Sequence, residues 1–367
     1  MTELETHSEK IFISDCEGPI SKNDNAFELA GRFIPEGTRL FTLISRYDDV
    51  LADIVKRKDY KAGDTLKLIL PFLKAYSVKD EKMADFSLQS ILLMPGAKEM
   101  LEFVHAAMPA YIVSTSYEQY MRALCGIIGW PFSNVYCTRL NLNKYGIIEE
   151  ERAELKRLVK ELVELPMLEI PKAAQSLRDF PRGMQQTVRR LDEMFWKEIS
   201  SMKIGRMLRE VNPVGGLEKA AAVKDIVTRL NEPIETVMYV GDSITDVCAF
   251  QLVRDAGGLT VAFNGNSYAV REAEVAVLSD NAIVTAVLAD LLNMLGKQRL
   301  LTLIRKWALR TIEQSGISEP LKSRFLIECR RKFPRVELIT RRNMKELVLE
   351  STKLRQIVRG EAIGKLG

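Results

Sequence analysis

The sequence of 367 residues predicts an α/β protein, in which a Rossmann-like, doubly wound parallel sheet carries helical insertions and is followed by a helical extension. Short runs rich in β-branched residues recur along the chain, and amphipathic stretches of helical spacing separate them. The short runs are apolar throughout, which is typical of strands that helices cover on both faces. The chain is long enough for two or three domains.

Six segments have this strand character, and four helical patterns alternate with them. The predicted strands are 10–14, 110–114, 134–138, 236–240, 259–263 and 274–278. The helical patterns are GAKEMLEFVHAAM, YEQYMRALCGI, LEKAAAVKDIVTRL and ITDVCAFQLVRDAG. A strand followed by a helix and a further strand is the unit of a parallel sheet.

Three segments do not follow this alternation. Residues 21–94 and 147–211 are helical in pattern and are predicted to be insertions, the first a cap and the second a second cap-like element. Residues 296–367 form a helical extension with 18 Lys and Arg against seven Asp and Glu, whereas the whole chain has a net charge of only +4. The predicted core therefore consists of residues 1–20, 95–146 and 212–295.

Composition excludes several kinds of site. The five cysteines form no close pair, so disulfides and a zinc site are not expected and a cytoplasmic location is predicted. There are two histidines, and His105 lies in a helical pattern where a structural role is expected. No apolar run is long enough to span a bilayer, and the polar N-terminus does not have the pattern of a signal peptide.

Acidic and hydroxyl side chains follow three of the predicted strands. Asp15 and Glu17 come after the first strand, Ser114 closes the second, and Asp242 and Asp246 follow the fourth. In parallel α/β sheets, ligands bind at the carboxyl ends of the strands. Converging carboxylates make an oxygen-rich site of the kind that Mg²⁺ prefers, and the cation removes the repulsion between the acids. The sequence thus predicts a site for a divalent cation.

This pattern resembles the haloacid dehalogenase (HAD) superfamily of phosphatases and phosphotransferases, whose four motifs occur here in order. They are Asp15-x-Glu17-Gly18, then Ser114 at the end of IVS, Lys219 in GGLEKAAAV, and GDSITD with Asp242 and Asp246. The gap between Lys219 and Asp242 is similar to that of the phosphoserine-phosphatase branch. Lys224 is the alternative candidate for the third motif. The motif set also resembles an archaeal branch that is sometimes labelled a hydrogenase-associated subunit.

The resemblance implies a role for each acidic motif residue. Asp15 would attack the substrate phosphorus and form an aspartyl-phosphate that water later hydrolyses. Glu17 would protonate the leaving oxygen and then activate water. Mg²⁺ would bind Asp15, the backbone carbonyl of Glu17 and Asp242, while Asp246 would steady Lys219 and reach the metal through water.

The resemblance also implies the phosphate-binding residues. Ser114 and the backbone amide of Thr115 would hydrogen-bond the phosphoryl group, and Lys219 would offset the negative charge of nucleophile and phosphate. Two positions depart from the commoner family pattern, which has Asp where Glu17 stands and Thr where Pro19 stands. Simpler explanations exist for single residues: the acids could form a turn, and Asp242 could cap a helix.

The predicted activity is Mg²⁺-dependent hydrolysis of a small phosphorylated metabolite, with phosphotransfer to another acceptor as a variant. The alternative is a catalytically degenerate HAD subunit that serves protein binding or assembly. The basic extension could dock a protein, a second copy of the chain or nucleic acid. Because apolar residues are interleaved with its basic clusters, packing against the core or a second subunit is favoured and nucleic acid is not expected.

Overall fold

The computed structural model describes residues 9–171 and 174–366. All six predicted strands are present, and they form one sheet with a seventh strand. The strands are β1 (Ile11–Ser14), β2 (Ala110–Tyr117), β3 (Val135–Thr138), β4 (Val237–Gly241), β5 (Leu259–Phe263), β6 (Val275–Leu278) and β7 (Arg335–Leu338). The expectation of no signal peptide depends on the polar N-terminal segment. Most of that segment lies outside the described residues.

The sheet has the order β3-β2-β1-β4-β5-β6-β7, and β1 to β6 are parallel. The chain therefore winds outward from β1 in both directions, as predicted. The order reverses at β1, which pairs with β2 on one side and β4 on the other. Such a reversal opens a crevice at the carboxyl ends of the strands, where ligands of α/β proteins bind.

Seventeen α-helices lie among the described residues and complete the element order. They are α1 (Asn25–Phe33), α2 (Gly37–Asp49), α3 (Thr65–Ala75), α4 (Asp80–Ser90), α5 (Ala97–Ala107), α6 (Glu118–Ile128), α7 (Glu149–Glu164), α8 (Arg182–Glu193), α9 (Met207–Glu210), α10 (Leu217–Leu230), α11 (Val247–Asp255), α12 (Ser267–Glu272), α13 (Ile283–Ile304), α14 (Leu309–Glu313), α15 (Glu319–Glu328), α16 (Met344–Arg359) and α17 (Glu361–Gly364).

Helices cover both faces of the sheet because alternate residues of each strand point to opposite sides. Phe12 and Ile112 pack on one face with α5, α6, α13 and α15. Ile11 and Val113 pack on the other face with α10, α11, α12 and α16. Cys16 belongs to the first apolar cluster and is fully buried.

The two helical insertions pack together as one cap. Side chains of α1 to α4 share a single apolar cluster with those of α7 to α9, including Leu43, Phe72, Leu158 and Leu191. The first insertion joins the core through two chain segments that pair with each other: the Lys22 amide donates to the Leu92 carbonyl at 2.8 Å. The second insertion connects to the core separately, after β3 and before α10.

The extension was predicted to be helical, and that prediction was incomplete. It contributes β7, which pairs antiparallel with β6 at the edge of the sheet. Val336 is buried while its neighbours Arg335 and Glu337 are partly exposed, so one face of this edge strand is polar. The extension therefore packs against the core.

The remaining expectations concern the cysteines, His105 and membrane-spanning segments. The five cysteines are free. His105 contacts the Trp130 ring, with centroids 5.0 Å apart, in keeping with a structural role. No helix among the described residues combines the length and the apolar character needed to cross a bilayer.

Candidate active site

The predicted site residues lie together at the carboxyl edge of the sheet, beside the point where the strand order reverses. Asp15 directly follows β1, Thr115 lies near the end of β2, and Asp242 directly follows β4. The Asp15 amide donates to the carbonyl of Val240 at 2.8 Å, which fixes the height of the first acid relative to β4. The register of neighbouring strands thus brings residues distant in sequence into one cluster.

Asp15 is held by one hydrogen bond and one ion pair. Its Oδ1 accepts from the Cys16 amide at 2.7 Å, and its Oδ2 lies 2.7 Å from Nζ of Lys219. Burial raises the pKa of the Asp15 carboxyl to about 7, although Lys219 opposes this shift. The ammonium group therefore favours the ionised carboxylate, which is the form that acts as a nucleophile.

Lys219 lies in the first turn of α10, is fully buried and bridges two acids. Its Nζ lies 2.8 Å from Oδ1 of Asp246 as well as 2.7 Å from Asp15. Burial alone would lower the pKa of this ammonium, but the two carboxylates outweigh it and raise the pKa. Lys224, the alternative candidate, is exposed on the other side of the helix. Lys219 is therefore the lysine of the site.

Asp246 is fully buried, and both of its carboxylate oxygens are occupied. Oδ1 accepts from Lys219 and from the Tyr239 hydroxyl at 2.9 Å, while Oδ2 accepts from the amides of Asp242 and Ser243 at 3.0 Å each. Four donors use most of the accepting capacity of a carboxylate. The geometry thus makes Asp246 the group that orients Lys219 and shapes the loop after β4.

Asp242 lies against the turn after β1 and receives two guanidinium groups. Gly18 has φ of +105°, and a Cβ at this position would overlap with Oδ2 of Asp242, so glycine is required on both counts. The same Oδ2 accepts from Arg355 and, at 2.9 Å, from Arg359. Both arginines come from α16 of the extension.

The carboxylates of Asp15, Asp242 and Asp246 form the acidic cluster that could hold a divalent cation, with Asp15 and Asp242 as its direct ligands because the oxygens of Asp246 are occupied by four donors. Each offers an oxygen, and these oxygens all lie within 4.8 Å of one another. All three residues are buried. A small hard cation bound to oxygens is the ligand that such a cluster takes, and Mg²⁺ keeps part of its water shell in sites with few protein ligands.

Glu17 connects the site to the cap. Its Oε1 accepts from the amide of Asn25, the first residue of α1, at 2.9 Å. Burial raises the pKa of Glu17 to about 8; nearby Asp24 adds to the shift and Arg359 opposes it. This shift favours the protonated form of Glu17, which is the form that a general acid needs.

Two residues of β2, Ser114 and Thr115, were predicted to bind phosphate, and they differ in their access to the site cavity. Thr115 lines the site cavity, and its hydroxyl has no hydrogen-bond partner among the described residues. Ser114 is fully buried, and its Oγ accepts from the Ser116 amide at 3.1 Å, so it braces the end of the strand. Ser114 is not among the residues that line the cavity.

A cavity of about 90 Å³ lies between core, cap and extension. Its lining includes Asp15, Glu17 and Thr115 from the core, Asp48, Asp49 and Thr65 from the cap, and Arg355 and Arg359 from the extension. Burial raises the pKa of Asp48 to about 7 and that of Asp49 to about 8. The cap thus presents acids with raised pKa values to the site.

The prediction from sequence missed Arg355 and Arg359. It treated the basic extension as a docking or packing surface, because pattern alone did not place α16 beside β4. A signal was present: Leu347, Ser351, Arg355 and Arg359 recur at intervals of four, which puts them on one face of a helix whose other members are core residues.

Comparisons with known proteins concern the family and the fold of the chain. Residues 108–290 match the family model of haloacid dehalogenase-like hydrolases. The chain is similar to the solved structure of gene product AF1437 from Archaeoglobus fulgidus, with 28% identity, a TM-score of 0.80 and coverage of 98% of this chain and 99% of that one.

More distant structures match only part of the chain. A substrate-bound phosphoserine phosphatase complex has 12% identity and a TM-score of 0.43, with coverage of 74% of this chain and 94% of that one. A phosphoserine phosphatase with an analogue of the phospho-aspartyl intermediate has 13% identity and a TM-score of 0.43, with coverage of 73% of this chain and 93% of that one. No curated protein matches the chain.

Proposed function

Because the chain belongs to the haloacid dehalogenase superfamily through its domain at residues 108–290, we propose that it is a Mg²⁺-dependent phosphatase that hydrolyses a small phosphomonoester through an aspartyl-phosphate on Asp15. One observation carries the proposal: the buried Lys219 ammonium lies between Asp15 and Asp246 at 2.7 and 2.8 Å, inside a cluster of three carboxylates. This arrangement supports the assignment of Asp15 as nucleophile, Lys219 as a fixed positive charge and the carboxylate cluster as the metal site.

The metal would be held by Asp15, Asp242 and the Glu17 carbonyl, and it supplies positive charge to the phosphoryl oxygens. In the first step, Asp15 forms a bond to phosphorus while the bond from phosphorus to the leaving oxygen breaks. Glu17 gives its proton to that oxygen. Lys219 stabilises the charge that gathers on the equatorial oxygens.

In the second step, Glu17 takes a proton from water, and the water oxygen attacks the aspartyl-phosphate at phosphorus. The bond from phosphorus to Asp15 breaks, which releases inorganic phosphate and restores the free carboxylate. The raised pKa of Glu17, about 8, suits a group that must give and then accept a proton near neutral pH.

The position of the cavity supports a role for the cap in the reaction. Its lining comes from core, cap and extension, so a substrate bound there contacts all three. Movement of the cap would admit the substrate and then exclude water from the reaction. Closure also aligns Glu17, since its partner Asn25 belongs to the cap.

The test is phosphate release from a panel of phosphorylated metabolites with Mg²⁺, in wild type beside Asp15→Asn. We expect turnover by wild type and a loss of about a thousandfold or more in the variant, since Asn cannot form the acyl phosphate. Metal-loaded wild type that is inert across the panel, yet captures a protein through residues 296–367, would instead favour the binding or assembly subunit. Transfer of phosphate to an added alcohol would identify a phosphotransferase.

A further inference from the structure

The C-terminal helix α16 docks on the core with one face and ends at the active site. Leu347 packs in the apolar cluster on that side of the sheet, and the Ser351 hydroxyl donates to the Gly265 carbonyl at 2.7 Å. One and two turns further along the same face stand Arg355 and Arg359, which are only 3% and 9% exposed. The extension therefore delivers two buried guanidinium groups to the site.

Arg359 has all of its nitrogens engaged. Its Nη1 donates to Asp242 at 2.9 Å, its Nε donates to the Lys22 carbonyl at 3.1 Å, and its Nη2 donates to the Asn23 carbonyl. Lys22 and Asn23 lie where the chain passes from core to cap. Arg359 thus ties the extension to the metal-ligand loop and to the cap connection, and it has no edge free for a ligand.

Arg355 is different, because one edge of its guanidinium is not satisfied. Its Nη1 donates to the carboxylate and, at 3.2 Å, to the carbonyl of Asp242. Its Nε has no acceptor among the described residues, and its Nη2 makes only a long contact of 3.4 Å with the Leu366 carbonyl. Nε and Nη2 form the edge that binds an oxyanion with two parallel N–H groups.

A buried donor without a partner destabilises the folded protein, so a site that retains one is suited to an external acceptor. Arg355 lines the cavity that also contains Asp15 and Thr115. The hydroxyls of Thr115 and Thr65 are two further buried groups in this cavity without a hydrogen-bond partner among the described residues. Carboxylate oxygens of two cap acids also line the cavity without a hydrogen bond. Three donors, the Arg355 edge and the two hydroxyls, are therefore available there to a small anion.

We propose that Arg355 binds the phosphoryl oxyanion of the substrate, and the inorganic phosphate product, through its Nε–Nη2 edge. Arg359 acts as a positioning residue that holds α16 in place. The inference rests on the proposed phosphatase function and extends it: the C-terminal extension completes the active site, and a chain without α16 lacks part of its phosphate-binding site.

The experiment is calorimetric titration of inorganic phosphate into the full-length protein in saturating Mg²⁺, with Mg²⁺ affinity measured separately. Arg355→Lys keeps a positive charge beside Asp242 but loses the paired N–H groups, and Arg355→Gln loses the charge as well. Lys353→Gln, an exposed position on the same helix, is the matched control. We expect phosphate affinity to fall about tenfold in Arg355→Lys and further in Arg355→Gln, since a bidentate pair is worth more than one charged contact. The control should stay within about twofold of wild type.

Three results would overturn the inference: wild type that binds no phosphate, phosphate affinity unchanged in both Arg355 variants, or a parallel loss of Mg²⁺ affinity. The last would show that Arg355 serves only to hold Asp242. The thermal unfolding midpoint of each variant shows whether it is folded. If Arg355→Gln does not fold, the phosphate affinity of Arg355→Lys alone decides whether the inference holds. Phosphate binding that depends on Arg355 in a protein without turnover would contradict the proposed function and leave this inference standing.

Discussion

Replacing Lys219 by Met tests the electrostatic centre of the site. The ammonium group lies 2.7 and 2.8 Å from two buried carboxylates. At an effective dielectric constant of about 20, each contact corresponds to about 6 kcal/mol of Coulomb attraction. Desolvation of the buried charges offsets most of this attraction, and removal of one partner from a buried ion pair costs about 3–5 kcal/mol in practice.

We therefore expect Lys219→Met to lower the free energy of unfolding by about 3–5 kcal/mol in the absence of divalent ions. Urea denaturation followed by circular dichroism, in EDTA and again with Mg²⁺, measures the change. Mg²⁺ should stabilise the variant more than it stabilises wild type, because the uncompensated carboxylates attract the cation more strongly. Turnover should fall about 10²–10³-fold, as when a transition-state donor is removed.

Lys224→Met is the matched control, since Lys224 lies on the same helix and is exposed. It should leave the free energy of unfolding within about 0.5 kcal/mol of wild type and leave turnover unchanged. A Lys219→Met protein within about 1 kcal/mol of wild type in EDTA would refute the reasoning, because a buried lysine between two carboxylates cannot be removed at so small a cost.

Three further predictions concern the acids and the turn around them. Glu17→Gln should give a stoichiometric burst of nitrophenol from p-nitrophenyl phosphate, followed by slow turnover. Nitrophenol is a good leaving group and needs no acid, but hydrolysis of the aspartyl-phosphate in the second step needs a base. A steady rate equal to that of wild type would contradict this. Gly18→Ala should weaken Mg²⁺ binding about tenfold or more by calorimetry, because the new Cβ overlaps with Asp242 at a φ of +105°; unchanged affinity would show that the turn adjusts. Burial raises the pKa of Asp49 from 3.8 to about 8, so the native state binds more protons than the unfolded state between these values, and wild-type stability falls as pH rises through this window. Asp49→Asn should therefore gain stability over wild type, by up to about 5 kcal/mol at pH 8, since each pKa unit corresponds to about 1.4 kcal/mol, and by little at pH 4. Urea denaturation that shows the same difference at both pH values would be inconsistent with the raised pKa.

The core could be predicted from sequence because its strands have a clear local pattern. The runs that became β1 to β6 are apolar and β-branched, and buried parallel strands need no polar face. The edge strand β7 could not be found in this way, because RVEL alternates charged and apolar residues within a basic segment after Pro334. Its assignment depends on pairing with β6, which is a tertiary contact.

The acids of the site were predictable because each follows a strand whose end is fixed by the sheet. Arg355 and Arg359 were not, because the contact with Asp242 spans 113 and 117 residues and depends on how α16 docks. The packing of the two insertions into one cap could not be predicted either, because it depends on tertiary contacts between them. Assembly through the extension and a cytoplasmic location stay predictions.

The most direct test of the central claim is chemical trapping of the intermediate. Wild-type protein with Mg²⁺ and substrate is quenched in acid during turnover, reduced with borohydride, digested and analysed by mass spectrometry. We predict that Asp15 is converted to homoserine in a substrate-dependent manner, since borohydride reduces an acyl phosphate and leaves a free carboxylate intact. Turnover that proceeds while Asp15 stays unmodified, or modification of a different carboxylate, would contradict the account.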